Sequence, residues 1–200
     1  MSSFSMRSLR PFLILFISCM SLGAWAQSAG KLTEFDQARL NHQKKAMLVL
    51  GGWAAGNIGA GLILRSRRSG EDRYFHEMNA LWNGVNLGIA AAGYWSATHA
   101  GASPDVYSAL REHYAFEKIL LFNAGLDVGY MAGGFYLMER AKNTSKRPER
   151  LRGYGKSIVV QGAFLFAFDL ANYFISHSRE HEAKLLLGAT PDGVGLLLHF

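Results

Sequence analysis

Cysteine is almost absent from this chain, which has a single one, Cys19, near the amino terminus. The rest of the chain can therefore form no disulfide, cysteine-ligated zinc site or iron–sulfur cluster, and it offers no thiol nucleophile. Proline is also scarce, with 4 residues, and charged residues make up only 18% of the chain. Soluble domains have roughly 25% charged residues. These shortages exclude thiol chemistry and argue against an ordinary soluble domain.

The abundant residues are apolar ones, at 50% of the chain, and glycine, with 22 residues. Many glycines with few prolines are typical of closely packed membrane helices. The formal net charge is +6, but the basic residues occur in short runs between apolar stretches, without a nucleic-acid-reading motif or a basic helix face. We therefore expect one membrane domain and no nucleic-acid partner, since 200 residues fit a single folding unit.

The amino-terminal segment has the pattern of an export signal. Two arginines precede an apolar run over 11–22, and small residues form an Ala-x-Ala cleavage site at 24–26. The run is too short for a membrane span, which needs about 20 apolar residues. We predict a cleaved signal peptide over 1–26 and a single transmembrane domain over 27–200. A lipoprotein signal modified at Cys19, or a retained anchor, are alternatives that leave the following residues on the same side of the membrane.

Four apolar segments of about 20 residues follow, and none contains lysine or arginine. Each is long enough, as a helix, to cross roughly 30 Å of hydrocarbon. Helices are expected because every backbone amide must be paired within the segment inside lipid. A soluble bundle would leave too little polar surface to cover four such helices. The sequence predicts an all-α fold, a four-helix transmembrane bundle with spans over 46–64, 78–98, 119–138 and 157–176.

The distribution of lysine and arginine between the loops predicts the orientation. The loops over 65–73 and 140–156 are strongly basic, whereas the loop over 99–118 and the tail after 176 carry few basic residues. Basic loops stay in the cytoplasm. We therefore expect a multi-pass protein of the bacterial inner membrane with both mature termini on the outer, periplasmic side, which is also where the signal peptide would deliver the mature amino terminus.

A weak repeat relates the four spans. It reads Trp53-x3-Asn57-x-Gly59, Trp82-x3-Asn86-x-Gly88, Asn123-x3-Asp127-x-Gly129 and Leu165-x3-Asp169-x-Ala171. The spacing of four places the bulky or amide residue and the Asn or Asp on one helix face. The small residue two positions later lies off that face, where it lets a neighbouring backbone approach. We read two helical hairpins; a duplication and simple helical periodicity both explain the match.

Seven polar residues lie in the middle portions of the spans and form a predicted intramembrane polar cluster: Asn57, Asn83, Asn86, Asn123, Asp127, Asp169 and Asn172. An ionised Asp at a helix centre costs about 2.5–3.5 kcal/mol, so both carboxyls are expected to face inward. One interpretation is that the cluster supplies interhelical hydrogen bonds that fix packing. The other is a proton or cation path that uses Asp127 and Asp169.

His99 and His177 lie at the outer ends of the second and fourth predicted spans, and His181 follows in the tail. The last two are four residues apart, a spacing that places them on one helical face and suits metal ligation. A metal site or a bis-histidine haem site is one hypothesis. Solvated histidines in an interfacial helix are the other, because a metal site needs three or four converging ligands.

The stretch over 74–86, with the sequence YFHEMNALWNGVN, resembles a segment shared by a family of uncharacterised small bacterial membrane proteins. The resemblance extends mainly over 53–94. It implies a bacterial four-helix membrane protein and carries no implication about activity.

The tail over 184–200 has two apolar runs around Pro191-Asp192-Gly193, which predicts a short β-hairpin.

Taken together, these patterns predict a non-enzymatic membrane scaffold or accessory subunit whose partners are the lipid bilayer and either a second copy or another membrane protein. The alternative is a small proton- or cation-coupled transporter or channel that uses Asp127 and Asp169. A third hypothesis is an interfacial metal- or haem-binding protein; otherwise no cofactor is expected. The oligomeric state and the lipidation of Cys19 are left open.

Overall fold

The computed structural model describes the backbone over residues 9–188 and the side chains over residues 30–186. Within this range the chain is helical and has no strand, which confirms the all-α prediction. The elements in chain order are α1 (Leu9–Arg67), α2 (Gly70–His99), α3 (Val106–Arg140), a 3-10 turn (Ala141–Asn143), α4 (Pro148–His177) and α5 (Glu180–Gly188). The predicted signal peptide and its cleavage site lie where no side chain is described.

Local signals explain where the long helices begin. Gly70 starts α2 with a φ of 58°, a left-handed conformation that glycine adopts without strain. Asp105 caps α3 by accepting a 2.8 Å hydrogen bond from the backbone N–H of Ser108. Pro148 starts α4, where its missing N–H has no helical partner to lose. The chain therefore turns back three times within short connections.

The first four helices form two antiparallel hairpins. Helix α1 packs on α2, α3 packs on α4, and α2 and α4 join the hairpins. Asn79 of α2 bonds Gln161 of α4, 82 positions later, and Gly153 of α4 lies against the backbone of Glu71 and Phe75. The central helices α2 and α4 thus run parallel. We call the end with the loops over 65–73 and 140–156 the basic end, and the opposite end the α5 end.

The distribution of polarity across the bundle is inverted relative to that of a soluble protein. The buried residues of α2 are Asn79, Asn83, Asn86, Ala90 and Ala97. Large apolar side chains lie outside instead, with 61% of Leu81, 66% of Val85 and 65% of Phe122 exposed. Soluble proteins rarely bury polar side chains while exposing contiguous apolar surface.

The α5 end is packed in the ordinary way. An apolar cluster joins α1, α3 and α5 through Phe35, Ala109, Leu110, Ala183 and Leu186. This contact corrects the predicted β-hairpin, since its first arm, 184–188, is helical and belongs to α5. Ala183 and Leu186 are three positions apart and share a helix face, so burying them favours helix over strand. The rest of the predicted hairpin lies outside the described residues.

Two stretches of the described residues are long and apolar enough to cross a membrane, Gly30–Arg67 and Pro148–Leu186. The first contains the predicted span 46–64 and the second contains 157–176. The predicted spans 78–98 and 119–138 lie within α2 and α3. Neither α2 nor α3 is long and apolar enough by the same measure.

Candidate functional site

A closed loop of hydrogen bonds links α1, α2 and α4 in the centre of the bundle. The indole N–H of Trp53 donates to Gln161 Oε1 over 3.0 Å, and Gln161 Nε2 donates to Asn79 Oδ1. Asn79 Nδ2 donates to Asn57 Oδ1 over 2.7 Å, and Asn57 Nδ2 returns to the Trp53 carbonyl over 2.8 Å. Gln161 is fully buried. Because each member has a partner, this loop fixes the relative positions of three helices.

The polar face of α2 continues from this loop. Asn83 Nδ2 donates to the Asn79 carbonyl over 2.8 Å, and Asn86 Nδ2 lies 3.4 Å from Asn83 Oδ1. Asn83 is completely buried and Asn86 nearly so. The face leads from the amide loop to a pair of carboxyl groups on α3 and α4.

Asp127 and Asp169 form that pair. They are 2% and 6% exposed, and their carboxyl groups interact directly. Asp127 Oδ2 has no hydrogen-bond partner among the described residues. Two neighbouring carboxylates in a medium of low dielectric cannot both remain ionised. At most one of the two carboxyls is therefore ionised, and both residues line a space between the helices.

That space is a cavity of about 220 Å³. It is lined by residues of all four long helices, none of them basic: Leu50, Trp82, Val85, Asn86, Ile89, Asn123, Leu126, Asp127, Tyr130, Leu165, Phe168 and Asp169. Helices α2 and α3 make little contact with each other, and the lining residues Val85 and Ile89 are more than half exposed. The cavity therefore opens sideways, between these two helices.

Aromatic pairs join the hairpins near this level. Trp82 of α2 meets Tyr130 of α3 edge to face, with ring centroids 4.9 Å apart. Trp53 of α1 stacks on Phe164 of α4 at 3.7 Å. The first pair forms part of the cavity wall and bridges α2 and α3, which are otherwise separated.

The structure divides the predicted polar cluster into three groups. Asn86 and Asn123 border the cavity together with the two carboxyls, whereas Asn57 and Asn83 belong to the hydrogen-bonded amides. Asn172 lies nearer the α5 end, where its Oδ1 is 3.0 Å from His42 Nε2. The sequence did not single out Asn79, Gln161 or Trp53 as members of a network. Gln161 could have been recognised in the sequence as a polar residue inside a span that has no lysine or arginine.

The three histidines proposed as ligands have other neighbours. His99 stacks on Trp95 and its Nδ1 lies 2.9 Å from the Trp95 carbonyl. His177 lies 3.7 Å from Glu117 and 3.6 Å from Glu180, and His181 is exposed. Between residues 30 and 186, where side chains are described, no group of three or more His, Cys, Asp or Glu is arranged to hold a metal ion.

An ionic cluster at the α5 end was missed by the sequence reasoning. Arg39 bonds Asp36 over 2.6 Å and Glu112 over 2.6 Å, and Ser103 N–H donates to Asp36 over 2.9 Å. Burial alone would raise the pKa of Asp36, but the hydrogen bonds from Arg39 and Ser103 and the Arg39 charge hold it below its ordinary 3.8. The cluster ties α1 to α3 and to the α2–α3 loop.

His113 lies beside this cluster, 1% exposed. Burial lowers the pKa of His113 to about 4, with smaller contributions from the positive charges of Arg179 and Arg39. Its Nε2 is 3.4 Å from Glu117 Oε1, and neither atom has a hydrogen-bond partner within the described part of the chain. The histidine is therefore held neutral around pH 7.

The basic end is tied together by a second ionic contact. Tyr154 Oη donates to Glu77 Oε1 over 2.5 Å, and Arg65 Nε lies 3.0 Å from Glu77 Oε2. The hydrogen bond from Tyr154 and the charge of Arg65 lower the pKa of Glu77. These contacts link α1, α2 and α4 at the point where the chain turns.

These features define a class of protein: an all-helical bundle of two hairpins with amides and a carboxyl pair inside and apolar side chains outside. Within that class, the chain belongs to a family of unknown function, DUF6992, which matches residues 49–170. The match confirms the resemblance to an uncharacterised family and includes all residues that line the cavity, while Asp36 and Arg39 lie outside it. No curated protein and no solved structure matches the chain.

Proposed function

We propose that this protein is a four-span integral membrane protein that acts without catalysis, as a scaffold or accessory subunit. The inverted polarity of α1–α4 supports the membrane location. Asn83 and Gln161 are completely buried, while Leu81, Val85 and Phe122 are mostly exposed. Lipid favours this arrangement, since polar groups must then find partners inside the bundle.

The same distribution supports spans at α2 and α3, whose average hydropathy is lower than that of the other two spans. Asn83 and Asn86 of α2 and Asp127 of α3 are buried, so none of them faces the surroundings. What these two helices present outward is apolar, including Ile89 and Val128. Segment averages therefore understate how well their outer faces suit hydrocarbon.

The proposed orientation places the basic end in the cytoplasm of a bacterial cell and the α5 end outside the inner membrane. The basis is the excess of lysine and arginine in the loops over 65–73 and 140–156. The proposal is tested by expressing the chain and washing the membranes with alkaline carbonate. Retention in the pellet supports it, and release into the supernatant without detergent contradicts it.

The single observation that carries the scaffold role is a glycine face on α3. Gly125, Gly129 and Gly133 are four positions apart, and a Cβ built on any of them would meet nothing within 4 Å. Gly84 and Gly88 on α2 are equally open. In membranes, small residues at this spacing let the backbone of another helix approach closely. We therefore assign the α3 face to contact with a second copy or a partner subunit.

Replacing Gly129 by Leu tests this assignment, because the larger side chain holds an approaching helix away. We expect the oligomer formed in lipid vesicles to dissociate at least ten-fold more readily, about 1.4 kcal/mol, as measured by energy transfer between labelled copies. Val128→Leu, one position away and already large and exposed, is the matched control. Equal association of the two variants and the parent contradicts a role for the glycine face.

A second candidate, a proton- or cation-coupled carrier, is favoured by two buried carboxyls, Asp127 and Asp169, that line one cavity without a basic residue beside them. Amide side chains alone can supply the hydrogen bonds between membrane helices, so packing does not require two carboxyls in one cavity. Reconstituted vesicles separate the candidates. Asp127→Asn and Asp169→Asn should abolish ion flux while assembly is unchanged if the protein is a carrier. A parent protein without flux contradicts it.

A further inference from the structure

The cavity at the carboxyl pair combines a charged floor with apolar walls and an opening on the outer face of the bundle. Asp127 and Asp169 form the floor, and Val85, Ile89 and Leu126 at the opening are all exposed. In the four-span arrangement this opening faces hydrocarbon. A ligand that reaches the carboxyls by this route has to be soluble in lipid.

We propose that the cavity binds a small lipophilic amine in its protonated form, which enters from the bilayer between α2 and α3. The first argument is charge. When the carboxyl pair holds one proton it carries one negative charge, and none of the residues that line the cavity is basic. A buried charge without an opposite charge is strongly destabilising. A protonated amine bound beside the carboxyl pair neutralises it.

The second argument is the chemistry of the walls, which favours an organic cation over a metal ion. Trp82, Tyr130 and Phe168 line the cavity, and aromatic faces attract ammonium groups. A hard metal ion requires six or more oxygen ligands, whereas two carboxyls and two amides are the only acidic or amide side chains that line the cavity. An ammonium group needs only the few hydrogen-bond acceptors that are present.

The third argument is size. The cavity of about 220 Å³ is smaller than the roughly 300–1,000 Å³ of pockets that hold drug-sized ligands. An amine with a single ring therefore fits better than a larger molecule. The amide side chains of Asn86 and Asn123 offer further acceptors next to the carboxyls.

The experiment uses 2-phenylethylamine as the probe and 2-phenylethanol as its neutral counterpart, with binding to the detergent-solubilised full chain measured by calorimetry. We expect the amine to bind and the alcohol to bind at least ten-fold more weakly. Asp127→Asn and Asp169→Asn should each weaken amine binding at least ten-fold. Asp72→Asn, an exposed carboxylate on α2, should leave it unchanged.

A further variant leaves both carboxyls intact and separates a loss of amine binding from a loss of the fold. Val85→Trp narrows the opening and should also reduce amine binding, while helical content and elution volume stay those of the parent. Equal binding of amine and alcohol, or undiminished binding to the double variant with Asn at 127 and 169, overturns the proposal. The inference rests on the four-span arrangement but not on assembly, so Gly129→Leu should bind the amine normally. Extraction without detergent would refute the membrane location separately.

Discussion

Gly134 and Gly155 lie backbone against backbone where α3 crosses α4. A Cβ on Gly134 would lie 2.8 Å from the Gly155 carbonyl oxygen, and a Cβ on Gly155 would lie 2.5 Å from the Gly134 carbonyl oxygen. Neither backbone can move aside without separating the helices. The distance between α3 and α4 at this level is therefore set by the absence of two methyl groups.

Gly155→Ala should destabilise the protein by about 1–3 kcal/mol, because overpacking forces the helices apart. Thermal unfolding in detergent, followed by circular dichroism, measures the effect. Gly59→Ala is the control, since nothing lies within 4 Å of a Cβ at that position and alanine favours helix. Similar melting temperatures for the two variants would show that α3 and α4 are far enough apart at Gly155 to accept a methyl group.

Arg39→Met should destabilise the α5 end by about 3–5 kcal/mol, because it leaves the buried Asp36 without its charged partner.

The lowered pKa of Asp36 makes the stability of the protein depend on pH. A carboxylate whose pKa is lower in the folded state stabilises above its unfolded pKa, and this stabilisation is lost as the pH falls through the folded value. Stability should therefore decline below about pH 3.8.

Asp36→Asn should remove this acid-dependent part, measured as the slope of unfolding free energy against pH. An exposed carboxylate, Asp72, provides the matched control when changed to Asn. The assignment is wrong if both variants keep the slope of the parent.

His113 should make the protein less stable between pH 6.5 and about 4. Its pKa is lower in the folded state, so the unfolded chain binds the proton more tightly and stability falls as the pH drops through this window, then levels off. The full effect is on the order of 3 kcal/mol. His113→Gln should flatten the profile, whereas His99→Gln, at an exposed site, should not.

Trp53→Phe should keep the stack on Phe164 but lose the indole hydrogen bond to Gln161. The buried Oε1 of Gln161 is then unsatisfied, which costs about 1–3 kcal/mol. Gln161→Leu also removes the hydrogen bond from Gln161 Nε2 to Asn79 Oδ1, so in chemical unfolding the double variant of Trp53→Phe and Gln161→Leu should lose less stability than the sum of the two single losses. Additive losses in the double variant would show that the two side chains act independently.

The sequence predicted the helices well, because long apolar segments without lysine or arginine are typical of membrane helices. The inward positions of Asn86, Asp127 and Asp169 could be predicted, because the polar residues of each span lie on one face of its helix. The partners across the bundle did not follow, since which helices are adjacent depends on contacts such as those of Gly153 and Gly155. Nothing in the sequence around either glycine indicates which helix it contacts.

Other parts were misjudged for identifiable reasons. The run over 184–188 is too short for periodicity to separate strand from helix, and its packing on Phe35 decided the outcome. His113 was placed in an outer loop, although α3 begins at Val106 and buries it. Asp36 and Arg39 were not singled out from the sequence, because their partner Glu112 is distant in sequence.

The side chains on the outer face of α3 change in character along its length. Arg111, Glu112 and Lys118 are exposed near its start, whereas Ile119, Phe122 and Val128 are exposed further along. In the proposed four-span arrangement, the first group lies in water and the second lies against hydrocarbon. The step between Lys118 and Ile119 then marks the depth at which the bilayer surface meets the helix. Cysteines introduced one by one on the outer face of α3 would change from reactive to protected toward water-soluble maleimides at that level.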